Sequence, residues 1–332
     1  MARVLIAFGC AVVLAAAGVF YAMRAAPAPS VAVEPGPVDL SEPGRLVFRD
    51  EVSGRVASVS LLDPGGARRL SSLSCQRFYV AAGTGLCLAT ASGPLPSAVA
   101  VSVDSSLTER SRVEVAGVPN RVKLSADGRM ASWTTFVTGD SYTAPGSFST
   151  RTAIRDLRDD QLSSNIEDLR VEGVSQSPDT NIWGVTFSAD DKTFFATVGA
   201  GGRTYLVRAS YDTWEATVLR ENAECPSLSP DGRRVAFKKR VASDGARPWR
   251  AYVLDLATMT ETALAETRGV DDQMVWLDDS TIAYGLPGEG IWAVRADGSG
   301  APRLLVPHAS SPSVTGVTVS PSDYDDRPEP AG

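Results

Sequence analysis

One local device recurs along the chain and limits what it can fold into: an alternating apolar strand, a Ser-x-Asp turn and a second apolar strand. Val122-Lys123-Leu124-Ser125-Ala126-Asp127-Gly128 runs into Met130-Ala131-Ser132-Trp133. Val185 to Asp191 runs into Phe194 to Thr197, and Ser227 to Gly232 runs into Val235-Ala236-Phe237. A degenerate copy, Val275-Trp276-Leu277-Asp278-Asp279, leads into Ile282-Ala283-Tyr284. Asp-Gly between two apolar runs signals a hairpin, because the Asp side chain caps the turn and Gly accepts φ > 0. The turn aspartates Asp127, Asp190, Asp231 and Asp279 lie 63, 41 and 48 residues apart. A period of about 40–45 residues with one insertion is that of propeller blades, each a four-stranded antiparallel sheet.

The remaining strands of each blade follow the turns. Tyr252 to Leu256 and Ile291 to Val294 read as third strands, and Thr260 to Leu264 and Pro302 to Val306 as fourth strands. Residues 45–73 hold three strands without an innermost one, whereas Val314 to Ser320, with the turn Ser320 to Asp323, reads as an innermost strand without a following blade. The C-terminal strand is therefore expected to complete the N-terminal blade and close the ring, which removes both open sheet edges. The expectation is an all-β, six-bladed propeller over residues 45–323, with blade 2 starting at Arg77 and turning at Gly83-Thr84-Gly85. Blades 3 to 6 then start near Arg121, Trp183, Pro226 and Gln273. Blade 3 carries extra length at 138–181, and its charged stretch from Arg155 to Arg170 reads as a solvated outer strand and loop.

At these residues a resemblance emerges. Ser229-Pro230-Asp231-Gly232-Arg233-Arg234-Val235-Ala236-Phe237, with Tyr252-Val253-Leu254-Asp255 after it, resembles the propeller repeat of TolB-like proteins. The pattern covers most of residues 45–321 and is strongest in the copies at 125, 188 and 229. The whole chain is similar to actinobacterial TolB-like proteins anchored by an N-terminal segment, and its four lysines against 28 arginines suit a GC-rich genome of that kind. The resemblance implies a six-bladed propeller and no established enzymatic activity. TolB itself has a further N-terminal α/β domain where this chain has a Pro-rich segment, so a Tol–Pal role is not carried over.

The N-terminus points to a membrane. Val4 to Met23 is a run of 20 residues without charge or proline between Arg3 and Arg24. About 20 apolar residues at 1.5 Å each cross a bilayer core, whereas the apolar core of a signal peptide is about 7–15 residues. Ala26-Pro27-Ala28 offers small residues for cleavage, but Pro29 would follow the cut and hinder it. Residues 1–24 are therefore expected to be an uncleaved signal anchor, a transmembrane helix, with a secreted, cleaved form as the alternative. Ala7-Phe8-Gly9-Cys10 lacks the pattern of a lipoprotein. Residues 25–44 read as a Pro-rich linker and 324–332 as a disordered tail. The chain carries a net charge of −7. The basic residues of the first 33 positions are Arg3 and Arg24, with no acid, so the remainder carries −9. That acidic remainder is expected on the extracytoplasmic side of a cell membrane. Nucleic-acid binding, which needs clustered basic charge, is not expected.

Of the four cysteines, Cys10 lies in the anchor. Cys75 and Cys87 either pair as a disulfide or stay as two buried thiols. On one hairpin turning at 83–85, position 75 would face about 92, so pairing needs a bulge or a non-strand start at Cys75.

Enzymatic patterns are missing. There is no Gly-x-Ser-x-Gly, and Gly199-Ala200-Gly201-Gly202 sits in an expected hairpin and reads as a turn. His308, the single histidine, falls in a loop after the last strand of blade 6. The acid-rich Asp271-Asp272, Asp278-Asp279 and Asp323 to Asp326 read as charged turns, since Ca²⁺ asks for six to eight oxygens, several from one loop. No metal and no cofactor are expected.

Binding remains. In a propeller the innermost strands all start at one face around the axis, so residues distant in sequence converge there. By the blade register these are Asn120, Arg121, Asn181, Trp183, Glu224, Asp271, Asp272 and Gln273. An aromatic, an arginine, carboxamides and acids suit a peptide or a glycan. The expected function is a membrane-tethered, non-enzymatic module of the cell envelope that binds an envelope protein or peptide. The alternative is a secreted hydrolase or lyase acting on cell-wall polysaccharide through Asp271 and Glu224, since paired carboxylates about 5–9 Å apart can divide acid and base roles.

Overall fold

The computed structural model describes residues 31–93, 96–137, 149–175, 179–242 and 248–316. The expected anchor, Cys10, the strand segment beyond Gly316 and the tail at 324–332 lie outside them. Among the described residues no helix is long and apolar enough to cross a membrane.

The strands among the described residues form six sheets. Blade 2 runs Arg77–Ala81, Thr84–Ala91, Ser97–Val103 and Glu109–Ala116 from the axis outward. The innermost strands of blades 3 to 6 are Val118–Leu124, Asn181–Phe187, Glu224–Leu228 and Val275–Trp276. Blade 1 is closed by Ala309–Val314, which pairs antiparallel with Arg45–Asp50. The ring is therefore an all-β, six-bladed propeller, and both ends of the chain contribute to one sheet.

The repeated turn explains why the hairpins form. Ser125 Oγ donates to Asp127 Oδ1 at 2.6 Å and accepts from the Met130 amide at 2.9 Å. In blade 5 Ser229 and Asp231 repeat the arrangement, with Ser229 Oγ accepting from the Arg234 amide at 2.9 Å. In blade 6 Asp278 replaces the serine and accepts from the Ser280 and Thr281 amides at 2.6 and 2.8 Å. Gly128 has φ +75°, and a Cβ there would come within 2.8 Å of the Ala81 carbonyl oxygen of blade 2. The turn thus needs glycine both for its backbone and for blade contact.

Each pair of adjacent blades buries its own apolar cluster, which is the energetic reason for the ring. Leu46, Phe48, Leu277 and Ile291 join blades 1 and 6. Val47, Val56, Phe78 and Val101 join blades 1 and 2, and Phe195, Leu206, Val235 and Phe237 join blades 4 and 5. Burial of each such side chain contributes on the order of 1.5–3 kcal/mol.

Three sequence expectations are corrected. The closing strand begins at Ala309, not at Val314, and Leu46↔Val314 is its last pair with Arg45–Asp50. The Ala-Ser-Ser-Pro-Ser-Val stretch lacks apolar alternation, and ring closure rather than pattern makes it a strand. The charged stretch of blade 3 is not simply solvated: Ile166 and Leu169 are buried in the core between blades 3 and 4. Arg170–Val171 then pairs parallel with Glu215–Glu221, as a fifth, outermost strand of blade 4. The second half of the Pro-rich segment is also no free linker. Val38 and Leu40 are buried in the core of blades 1 and 2, the Glu34 amide donates to the Arg68 carbonyl, and the Leu40 amide donates to the Ser105 carbonyl.

Candidate functional site: the axial mouth

The innermost strands start at one face, and several of them are irregular there. Register shifts fall between Pro119 and Arg121, Trp183 and Thr186, and Glu224 and Ser227. Blade 1 has a shift opposite the closing strand, between Val47 and Arg49. A bulge re-aims side chains and is common beside functional sites. Cys225 and Ser311 have φ of +52° and +57°, which non-glycine residues seldom adopt. Gly184, φ +67°, makes room: a Cβ there would lie 2.8 Å from the Cys225 Cα of blade 5.

These bulges gather a charged cluster across the axis. Arg121 Nη2 lies 3.5 Å from Asp271 Oδ1 and its Nη1 donates to the Asn120 carbonyl at 3.1 Å, while its buried Nε makes no hydrogen bond. Lys238 Nζ donates to Asp271 Oδ1 at 2.5 Å, sits 3.6 Å from Glu224 Oε2, and stands 4.1 Å from the Trp249 ring centroid. Trp249 Nε1 donates to Glu224 Oε1 at 3.0 Å. Deeper in the axis, Lys123 Nζ donates to Ser227 Oγ at 3.0 Å beneath the Tyr79 ring. Gln273 Nε2 donates to the carbonyls of Val185 and Pro226, tying blade 6 to blades 4 and 5. Asp272 accepts the Gln273 and Gly285 amides at 2.9 Å each, one on each oxygen.

The charges tune one another. Burial opposes the charge of Arg121, but the Cys225 sulfur and the Asp272 and Asp271 carboxylates outweigh it and hold the guanidinium above its ordinary range. Burial opposes the charge of Lys238 too, and Cys225 and Asp271 overcome it against the repulsion of Arg121. Burial would raise Asp271, whose side chain is 45% exposed. Lys238, then Arg121 and Arg77, hold it below the usual carboxylate range instead.

Of the eight mouth residues read from the sequence, Arg121, Glu224, Asp271, Asp272 and Gln273 meet at the axis. Asn120 contributes its backbone carbonyl. Asn181 turns toward blade 3, where its Oδ1 accepts the Thr150 amide at 2.6 Å. Trp183 is buried against Gly199 of its own blade. Sequence reasoning missed Arg77, Lys123, Lys238 and Trp249. Arg77 was within reach of it, being the first residue of an innermost strand. Lys238 reaches the mouth from a second strand, through its cross-strand partner Glu224. Cys75 and Cys87 are joined by a disulfide with Cα atoms 5.6 Å apart. Arg77 pairs with Leu88 and Phe78 with Cys87, so Cys75 precedes the strand and bends back to meet Cys87. Among the described residues no group of three or more His, Cys, Asp or Glu is placed to hold a metal ion.

No family model and no curated protein sequence matches the chain. Solved structures do. TolB from Acinetobacter baumannii superposes with a TM-score of 0.59 at 16% identity, covering 82% of this chain and 67% of that one. A chain of the nidogen/laminin complex gives a TM-score of 0.53 at 11% identity, covering 82% of this chain and 98% of that one. TolB from Agrobacterium tumefaciens gives 0.49 at 10% identity over 79% and 87%. With its six four- and five-stranded blades and its two-ended closing sheet, the chain shares the β-propeller fold of TolB.

Proposed function

We propose that this propeller is a binding module whose ligand seats on the axial mouth, and that it works tethered to a membrane on the extracytoplasmic side. The observation that carries the reading is the bulged, charged mouth, where Arg77, Arg121, Lys238, Asp271 and Glu224 converge from four blades around a half-exposed opening. The uncharged run from Val4 to Met23 supports the tether. The Cys75–Cys87 disulfide agrees with an oxidising compartment. The ligand we favour is an envelope protein or peptide. Lys238 bridges Glu224 and Asp271 where a glycosidase would hold a sugar and a water between its carboxylates. An Asp271 held below the carboxylate range is also poorly placed to donate a proton.

The test is photo-crosslinking in the cells that make the protein, with the full chain. A photoreactive phenylalanine analogue replaces Trp249 at the mouth or the exposed Leu304 on the outer strand of blade 6. Discrete adducts from position 249 and not from 304 support the reading. Adducts only from the outer strand, or equal adducts from both, overturn it.

A further inference from the structure

The cluster at the mouth contains one side chain that the rest of the protein does not use. Arg77 opens the innermost strand of blade 2 and is half-buried, yet its guanidinium has no hydrogen-bond or ion-pair partner among the described residues. Its neighbours explain why. Asp272, which lines the same cavity, accepts two backbone amides. Asp271 is engaged by Lys238 and Arg121. Burial, and then the charge of Arg121, which outweighs either carboxylate at that position, pull Arg77 below the ordinary arginine range.

Two further observations point the same way. A small cavity of about 20 Å³ lies on the axis, and Arg77, Tyr79, Arg121, Lys123, Asp272 and Ser311 line it. That is room for a water or the head of one group, since a single water needs about 10–15 Å³ on this measure. Arg77, Arg121, Lys123 and Lys238 also outnumber Asp271, Asp272 and Glu224 in a chain that is acidic as a whole. Arg49 adds a fifth positive charge near Arg77. One or two unmatched positive charges and a slot of this size suit a planar monoanion better than a tetrahedral dianion. A guanidinium fork with all its donors free is the group that binds a carboxylate through two parallel hydrogen bonds.

We propose that the axial mouth recognises a carboxylate of its partner polypeptide, taken end-on by Arg77 with the free Nε of Arg121 beside it. The proposal rests on the reading of the mouth as a binding site and names the chemistry of what it binds. The carboxylate completes the charge pattern of the axis, and the rest of the partner lies outside, over Asp271 and Trp249. The head group comes either from an acidic side chain or from a chain terminus.

Titration of the full-length chain, labelled with ¹⁵N at arginine, tests this with acetate as the minimal probe and acetamide as its neutral counterpart. The expected result is a saturable shift of the Arg77 side-chain resonance with acetate and none with acetamide. Arg77→Gln should weaken acetate about ten- to hundredfold, the scale of a lost charge-assisted hydrogen bond. Arg77→Lys keeps the charge without the fork and should fall between, and melting curves matched to wild type show that both variants fold. An N-acetylated triglycine with a free carboxylate, and an N-acetylated, C-amidated tripeptide with a central aspartate, distinguish terminus from side chain by which one binds more tightly. Equal response to acetate and acetamide, or acetate binding that survives Arg77→Gln unchanged, overturns the proposal. If carboxylates fail while crosslinks from position 249 persist, the mouth is a binding site of other chemistry, and only this inference falls.

Discussion

Two arginines, nine positions apart in sequence, sit in opposite situations. Arg68 lies in the seam where blade 1 meets blade 6 and is 2% exposed. It pairs with Asp50, donates to the Pro307 and His308 carbonyls, and covers the Phe48 ring at 5.2 Å. Both terminal nitrogens of that side chain are used by the fold. Arg77, at the mouth, is used by none of it. A cation drawn into the fold, fully like Arg68 or half like Arg77, is retained either because its partners are built in or because they arrive from outside. The seam shows the first case and the mouth the second, in one molecule with one set of blades.

The largest expected effect breaks the seam. Arg68→Met keeps the apolar stem but leaves Asp50 buried without its partner, and should cost about 3–5 kcal/mol in a urea titration. Adding Asp50→Asn should recover part of the loss, because the stranded charge goes with it. Recovery would show that the cost lay in the unpaired carboxylate and not in lost packing. Asp50 also sets a pH dependence. Burial would raise it, but the Ser53 amide and hydroxyl and then Arg68 hold it below its ordinary value of 3.8. Its contribution is therefore present above that value and lost as pH falls through the depressed one. The acid limb of the stability curve should flatten in Arg68→Met.

The next effect concerns the joint between blades 1 and 2, beside the mouth. The Cys75–Cys87 disulfide has a sequence separation of 12. Cys75→Ser with Cys87→Ser should lower stability by about 2–3 kcal/mol, the scale of a loop of that size. A loss well below 1 kcal/mol would mean that the strap of Val38 and Leu40 already holds this joint without the disulfide.

What the sequence revealed follows the same division. The six blades were legible because their turns are local: Ser125, Asp127 and Gly128 satisfy one another within four residues, and so do Ser229, Asp231 and Gly232. The closing strand starts five residues before the apolar alternation at Val314, because Ala309–Val314 is a strand only by virtue of Arg45–Asp50, more than 250 positions away. The mouth was half legible. Strand starts gave Arg121, Glu224 and the Asp271-Asp272-Gln273 run. Strand starts say nothing of a partner across the ladder or in the next blade: Lys238 comes in from a second strand opposite Glu224, and Asn181 spends its amide oxygen on Thr150 of blade 3.

A smaller effect lies on the opposite face, between blades 3 and 4. Asp191, 7% exposed, stands beside Asp127 with its Oδ1 lacking a partner. Burial and then the Asp127 charge raise it, while Asp127 is held below its ordinary value, so the two titrate as a pair. A raised carboxyl costs stability once pH climbs above its ordinary value of 3.8. Asp191→Asn removes the repulsion and keeps a side chain that tolerates φ +56°. It should stabilise the protein by about 1 kcal/mol at neutral pH and by almost nothing below pH of about 4. A loss at neutral pH would mean that the 3.5 Å contact with Arg158 outweighs the repulsion.

The smallest effect is the sharpest test of the comparison. If Arg77 is kept for a ligand, the free protein gains nothing from it. Burial and Arg121 both disfavour its charge in the folded state, whereas the unfolded chain hydrates it fully. Arg77→Gln should therefore leave the urea midpoint within about 0.5 kcal/mol of wild type, or raise it slightly. The variant should show no new pH dependence between pH 5 and 9, roughly, because an arginine titrates far above that window. The same substitution should weaken acetate about ten- to hundredfold. A stability loss above about 1 kcal/mol would instead place Arg77 with Arg68, as a side chain whose partners are part of the fold. Neutral stability with lost binding is the combination that only a ligand-directed arginine produces.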